Sequence, residues 1–332
     1  MCGISSSIIN LDKKLNQKLD FNEIEYLIEK KNYLKALNKT KDLRNNSTYV
    51  NLTCIGNKKN FLKIKKVLKK CLKIRNSTNY EFIDDLLWVL EIEILEKVNK
   101  IIKILEILNT PINPNSVIFA YHLLSEFENI NYLESRGRDS ASISINFILG
   151  KNSLLKNTSQ SNGIEVSINK IFTTDEVLNV TLKTANRIGY SGENVENLKK
   201  KLISSNVISK INFNDLKHFS IITHTRWATV GDVNLNNCHP LIIKKKNNFN
   251  FYSMNGDITN YKKLLNKFRK KDLSNIDKKC NNDLIVLDSI FNKKQQKILT
   301  GSFVILCFDL KNPRKILIYK KGDQGLYYSK DA

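Results

Sequence analysis

This sequence of 332 residues predicts an α+β protein interrupted by an all-helical segment. Three observations predict it. A short β-type run at residues 2–9 is followed, from about 11 to 112, by apolar residues at helical spacing. Two prolines, Pro111 and Pro114, then break the pattern. Beyond them short β-type runs alternate with helices, and many strands with a few helices imply layers of the α+β kind.

The elements follow in order. Phe21, Ile24, Leu27, Ile28, Leu34 and Leu37 recur with helical periodicity. Lys58 to Arg75 holds nine basic residues and no acid, with Phe61, Ile64, Leu68, Cys71 and Leu72 on one side, which is an amphipathic helix with a basic face. From Glu81 to Leu108 the residues Ile83, Leu87, Leu90, Ile94, Val98, Ile101, Leu105 and Leu108 step mostly by threes and fours, the spacing of a helix–helix seam. The seam stops at Asn109-Thr-Pro-Ile-Asn-Pro114, where proline removes the amide donor and restricts its predecessor. Residues from about 11 to 112 are therefore expected to form an all-helical unit of several antiparallel helices. After it come a helix over Ser116–Phe127, a loop over Glu134–Ser140 and a strand over Ala141–Leu149. Further β-type runs lie at 220–223, 241–244, 250–254, 303–309 and 315–319, with helices at 258–269 and 283–291. The stretch 152–214 is polar and weakly patterned apart from a helix near 194–203.

The 54 Lys and Arg against 32 Asp and Glu give a net charge of +22, which first suggests a nucleic-acid or anionic-membrane partner. The distribution argues otherwise. Residues 11–115 carry a net +8 and the remainder +14, so the density is nearly even, whereas a nucleic-acid footprint concentrates charge. The chain also holds 44 Asn, and a joint excess of Lys and Asn reads as a bias of composition. Lys58 to Arg75 is the one sharp cluster; a solvated helix face is the expected reading, an anionic partner the alternative. No run of 18 apolar residues predicts a membrane span. The start, Met-Cys-Gly-Ile-Ser, lacks a basic segment leading into an apolar one, so a cytoplasmic protein is expected. Cys2, Cys54, Cys71, Cys238, Cys280 and Cys307 form no Cys-x-x-Cys pair and no zinc spacing; reduced thiols, no metal and no cofactor are expected.

Cys2 stands apart. Removal of Met1 would leave a thiol and a free α-amine on one residue, and an amine with pKa near 8 can act as base for its own thiol. Further along lie Ser135-Arg-Gly-Arg-Asp-Ser140, Thr223-His-Thr-Arg-Trp-Ala-Thr-Val-Gly231, Asn237-Cys-His-Pro-Leu241, Ser253-Met-Asn-Gly-Asp257 and an acid, Asp283, opening a helix. In this order these segments resemble the class II glutamine amidotransferases, which are N-terminal-nucleophile hydrolases. The Trp-containing form of the second segment is most similar to the branch that aminates fructose-6-phosphate. The resemblance covers residues 1–9 and about 114–332.

That resemblance implies a four-layer αββα sandwich carrying the helical insertion. It implies that Cys2 attacks the side-chain amide of L-glutamine, with the Asn255 side chain and the Gly256 N–H as oxyanion hole. Arg226 would hold the substrate α-carboxylate through its planar fork, and Asp283 the α-ammonium. Trp227, Thr229 and His239 would line the pocket. His122, His218 and His224 are read as structural. The sequence departs from the family pattern at Val230 (often His), Arg138 (often an aromatic gate) and Ile285 (often Glu). A sugar-phosphate acceptor is implied, served by sugar-isomerase-type domains absent from this sequence or truncated after residue 332; a homo-oligomer is a possible assembly. The alternatives are another acceptor, or a non-catalytic regulatory module working through the basic insertion.

Overall fold

The computed structural model describes residues 2–11, 21–54, 58–77, 82–150, 159–161, 163–171, 175–186, 190–229, 231–245, 248–267 and 296–328. These residues form two units, one of residues 1–10 with 126–332 and one of residues 11–125. Strand β1 (Gly3–Asn10) leads directly into the second unit.

That unit is built of α1 (Phe21–Glu29), α2 (Tyr33–Lys41), α3 (Asn46–Thr53), α4 (Lys58–Ser77), α5 (Ile83–Trp88), a π-helical segment (Val89–Glu96) and α6 (Lys97–Ile107). The periodicity expected as one helix over 21–37 is split in two: Lys31 takes a positive φ of 56° and the Asn32 side chain caps α2 by accepting from the Lys35 N–H. Asn45 caps α3 in the same way through the Thr48 N–H. The seam expected over 81–108 widens into the π segment, from which the buried Leu90 and Ile94 continue to Val98 of α6 at steps of four. On α4, Ile64, Val67 and Cys71 are buried, while Lys66 and Lys70 reach Glu25 of α1, and Lys70 also Glu29. Those ammonium groups hold the Glu25 carboxyl below its ordinary pKa. Part of the basic face is thus answered by acids of the same unit.

Helix α7 (Pro114–Leu133) crosses the second division, and its last turns belong with the sheets. The first sheet is antiparallel with order β1-β6-β2-β5-β4-β3, adding β2 (Ser140–Gly150), β3 (Ser159–Ser161), β4 (Ile164–Ile171), β5 (Asp175–Thr184) and β6 (Leu216–Arg226). The second is antiparallel with order β10-β9-β8-β7, from β7 (Leu241–Lys245), β8 (Asn248–Ile258), β9 (Gly301–Asp309) and β10 (Leu317–Lys321). The chain is therefore α+β. Ile148, Val177 and Ile222 of the first sheet share one core with Phe251, Leu306 and Phe308 of the second. The other face of the second sheet packs Met254, Phe303 and Ile305 against Tyr261 and Leu264 of α9 (Tyr261–Lys267), and α8 (Glu193–Ser205) lies on β2 and β5.

Strands β4 and β5 fall in the stretch expected to be unpatterned. The face of β5 that carries Asn179, Thr181 and Lys183 is buried, which conceals the usual polar-out alternation. Those residues close a network instead: Asn179 Nδ2 donates to Asn146 Oδ1 at 2.8 Å, and Asn146 Nδ2 to Ser220 Oγ at 3.1 Å. On the opposite face Glu126 of α7 accepts from Ser7 of β1, Thr223 of β6 and Asn129. Burial pushes that carboxyl upward in pKa.

Candidate active site

Antiparallel pairing of β1 with β6 sets Gly3 opposite Thr225, which brings the start of the chain to the end of β6, where Arg226 is the last residue. Cys2 is half-buried there. Its backbone N–H donates to Asn255 Oδ1 at 3.1 Å, and its Sγ lies 3.9 Å from the Trp227 carbonyl oxygen. Burial raises the thiol pKa, and the nearby Asp257 carboxylate adds to the rise. The Trp227 contact, the amino terminus and the Arg226 guanidinium work in the opposite direction without reversing it. At neutral pH the thiol is protonated, so its use as a nucleophile requires a base.

Asn255 is held from both ends of its amide. Its Oδ1 accepts from Cys2, and its Nδ2 donates to Gln324 Oε1 at 3.3 Å. Next to it Gly256 has φ 101°, and a Cβ there would stand 2.1 Å from the Ser302 carbonyl oxygen on β9. Only glycine fits this backbone.

Arg226 is 2% exposed and donates from Nη1 to the Asp232 carbonyl at 3.1 Å. Trp227 and Thr229 are exposed on the segment that follows. One side chain straps that segment: Asp139 donates its N–H to the Arg226 carbonyl at 3.0 Å, and its Oδ2 accepts from the Ala228 N–H at 2.7 Å. Gly137, two residues earlier, lets the backbones meet, since a Cβ would fall 2.7 Å from the Arg226 carbonyl carbon. Neither Asp139 nor Gln324 was assigned a role from sequence. The Arg-Gly-x-Asp segment was a signal for Asp139; Gln324 had none. Asp283, Val230 and Ile285 lie outside the described residues.

His239 is fully buried, and its Nδ1 accepts from the Met254 N–H at 3.0 Å. His224 Nε2 meets the carbonyl oxygen of the same residue at 2.9 Å. The two rings stack with centroids 4.5 Å apart and planes inclined by 12°. The structure therefore brings Asn255, Arg226 and Trp227 to Cys2, with Gly256 next to Asn255 in the chain, and sets the histidine pair on the backbone of Met254, the residue before Asn255.

Residues 190–277 match the family model described as class-II glutamine amidotransferases. An alignment of 130 positions, covering 32% of this chain and 18% of the relative, is 31% identical to the glutamine–fructose-6-phosphate aminotransferase [isomerizing] of Encephalitozoon cuniculi (strain GB-M1). The matched part is less than a fifth of that curated relative's length. Among the described residues no helix is long and apolar enough to cross a membrane.

Proposed function

This chain carries a class-II glutamine amidotransferase segment, and on that premise we propose that it hydrolyses L-glutamine to glutamate and ammonia with Cys2 as nucleophile. The observation that carries the reading is the joint placement of the Cys2 nitrogen on Asn255 and of its thiol beside Trp227 and Arg226. In the proposal, loss of Met1 turns the Cys2 nitrogen into an amine that keeps its bond to Asn255 Oδ1. That amine accepts the thiol proton, and the thiolate attacks the amide carbon of glutamine. Charge moves onto the amide oxygen, where the second hydrogen of Asn255 Nδ2 and the Gly256 N–H stabilise it; removing one such donor typically costs about 3–4 kcal/mol. Collapse of the tetrahedral intermediate breaks the C–N bond, and the ammonium of Cys2 returns its proton to the leaving ammonia. Water then attacks the γ-glutamyl thioester, giving glutamate and the free thiol.

Arg226 is proposed to hold the α-carboxylate of the substrate and Asp283 its α-ammonium, with Trp227 and Thr229 at the pocket wall. The αββα four-layer arrangement is proposed for the sheet unit, with residues 10–113 as an insertion. The ammonia is proposed to pass to fructose-6-phosphate, giving glucosamine-6-phosphate, because the relative named above carries that acceptor in its name. Glutamate release by the processed protein, beside Cys2→Ala, tests the reading. Release that depends on Cys2 supports it, and equal rates in the two proteins would sink it.

A further inference from the structure

The ladder of the second sheet ends one step short of the proposed oxyanion hole. Strand β7 begins at Leu241, which pairs with Tyr252 of β8. In an antiparallel pair, residues two apart turn their N–H and C=O to the same side. Met254 therefore directs both groups toward the place where β7 would have continued. Continuing that register would set His239 opposite Met254 and Pro240 opposite Ser253, but β7 stops at Leu241. The missing partners come from side chains. His239 Nδ1 accepts the Met254 N–H at 3.0 Å, and His224 Nε2 lies 2.9 Å from the Met254 carbonyl oxygen.

We propose that His224 and His239 are positioning residues that extend the β8 ladder by one residue and so fix the backbone from which Asn255 and Gly256 project. The proposal rests on the reading of those two residues as the oxyanion hole. The bonding fixes the tautomers. Nδ1 of His239 can accept only as an unprotonated nitrogen, and Nε2 of His224 must carry a hydrogen to meet a carbonyl. Among the described residues the buried His224 Nδ1 has no hydrogen-bond partner, so a second proton there would face no acceptor from them. Both rings are therefore neutral. Burial, with Arg226 beside it, takes His224 down to about 4, and burial, His224, Arg226 and Lys183 take His239 well below its ordinary value. The stacked rings brace each other, and β6, which carries His224, also ends in Arg226. One strand thus supports both the substrate anchor and the oxyanion hole.

The experiment compares the full chain, with Met1 removed, in pairs of variants. His239→Asn keeps an acceptor oxygen near the Nδ1 position, and His239→Leu does not. His224→Gln keeps a donor near Nε2, and His224→Leu does not. Hydrogen-exchange mass spectrometry of peptides spanning 250–258 reads the clamp without reference to activity. Steady-state glutaminase kinetics reads its consequence, and alkylation of Cys2 by iodoacetamide reports that the thiol remains reachable. The expected result is faster exchange in the Leu variants only. Their kcat should fall about 10- to 100-fold with KM within about twofold, because a misplaced donor weakens the transition state more than the bound substrate. The Asn and Gln variants should recover most of both readouts. Unchanged exchange in the Leu variants, or equal kcat losses in each conservative variant and its Leu counterpart, would overturn the proposal. If the wild-type protein releases no glutamate, the functional reading falls and takes the oxyanion-hole role with it. The exchange arm would still decide whether the two rings hold Met254.

Discussion

A thiol whose pKa is raised by burial calls for a base at neutral pH, and in the proposed mechanism that base is the nitrogen of the same residue once Met1 is removed. Asn255 binds that nitrogen, so the group proposed to stabilise the oxyanion also orients the base. The adjoining glycine admits a direct test. Gly256→Ala places a Cβ 2.1 Å from a β9 carbonyl at φ 101°, and the β8–β9 ladder opposes relief. A loss of roughly 3 kcal/mol in unfolding free energy is expected by denaturant titration; an unchanged midpoint would contradict the geometry. The histidines give a second residue-scale prediction. His224 titrates near 4 in the folded protein and near 6.5 when unfolded. Between those values the unfolded chain binds a proton that the folded chain refuses. Its stabilising effect is complete above pH 6.5 and is lost as the pH falls toward 4. Glu126, raised by burial, acts in the opposite sense, but it is present in both wild type and variant. The stability lost by the wild type between pH 7 and pH 4.5 should exceed that lost by His224→Gln by roughly 2–3 kcal/mol. Parallel curves for the two proteins would refute the assignment.

At the scale of elements, the strap formed by Asp139 governs the three residues that follow β6. It fixes the Arg226 carbonyl and the Ala228 amide, and so the Trp227 carbonyl that touches the thiol. Hydrogen bonds to charged groups contribute about 1.5–3 kcal/mol. Asp139→Ala should therefore raise KM for glutamine about tenfold or more, and steady-state kinetics with an unshifted KM would count against the strap. The elements also show why sequence reading reached as far as it did. Strand β6 was legible over 220–223 from its β-branched residues but runs over Leu216–Arg226, and the extension is what makes Arg226 a strand terminus. Strands β4 and β5 were not legible, because Asn179, Thr181 and Lys183 are buried in a polar network rather than exposed. Helix α4 was legible over Lys58 to Arg75 and runs on to Ser77, with Ile64 and Cys71 buried as expected but Leu72 exposed and Val67 buried in its place.

At the scale of the molecule, the net charge of +22 is spread over both units, and on α4 part of it is answered by Glu25 and Glu29. Among the described residues, those proposed for chemistry come from positions 2, 226–229 and 255–256, distant in sequence and joined by the β1–β6 pairing and by the Cys2–Asn255 bond. Their identities were legible as short segments in order. Their mutual support was not: Gln324 on Asn255 and the two histidines on Met254 are side chains meeting across strands, which no spacing rule records. The central claim is that Cys2, once its α-amine is free, is the nucleophile and carries its own base. Glutamate release from glutamine should be compared among protein lacking Met1, protein retaining an N-terminal extension before Cys2, and Cys2→Ala. Turnover in the first and loss of at least a hundredfold in the other two is the predicted result. Equal release from the extended or the Cys2→Ala protein would contradict the account.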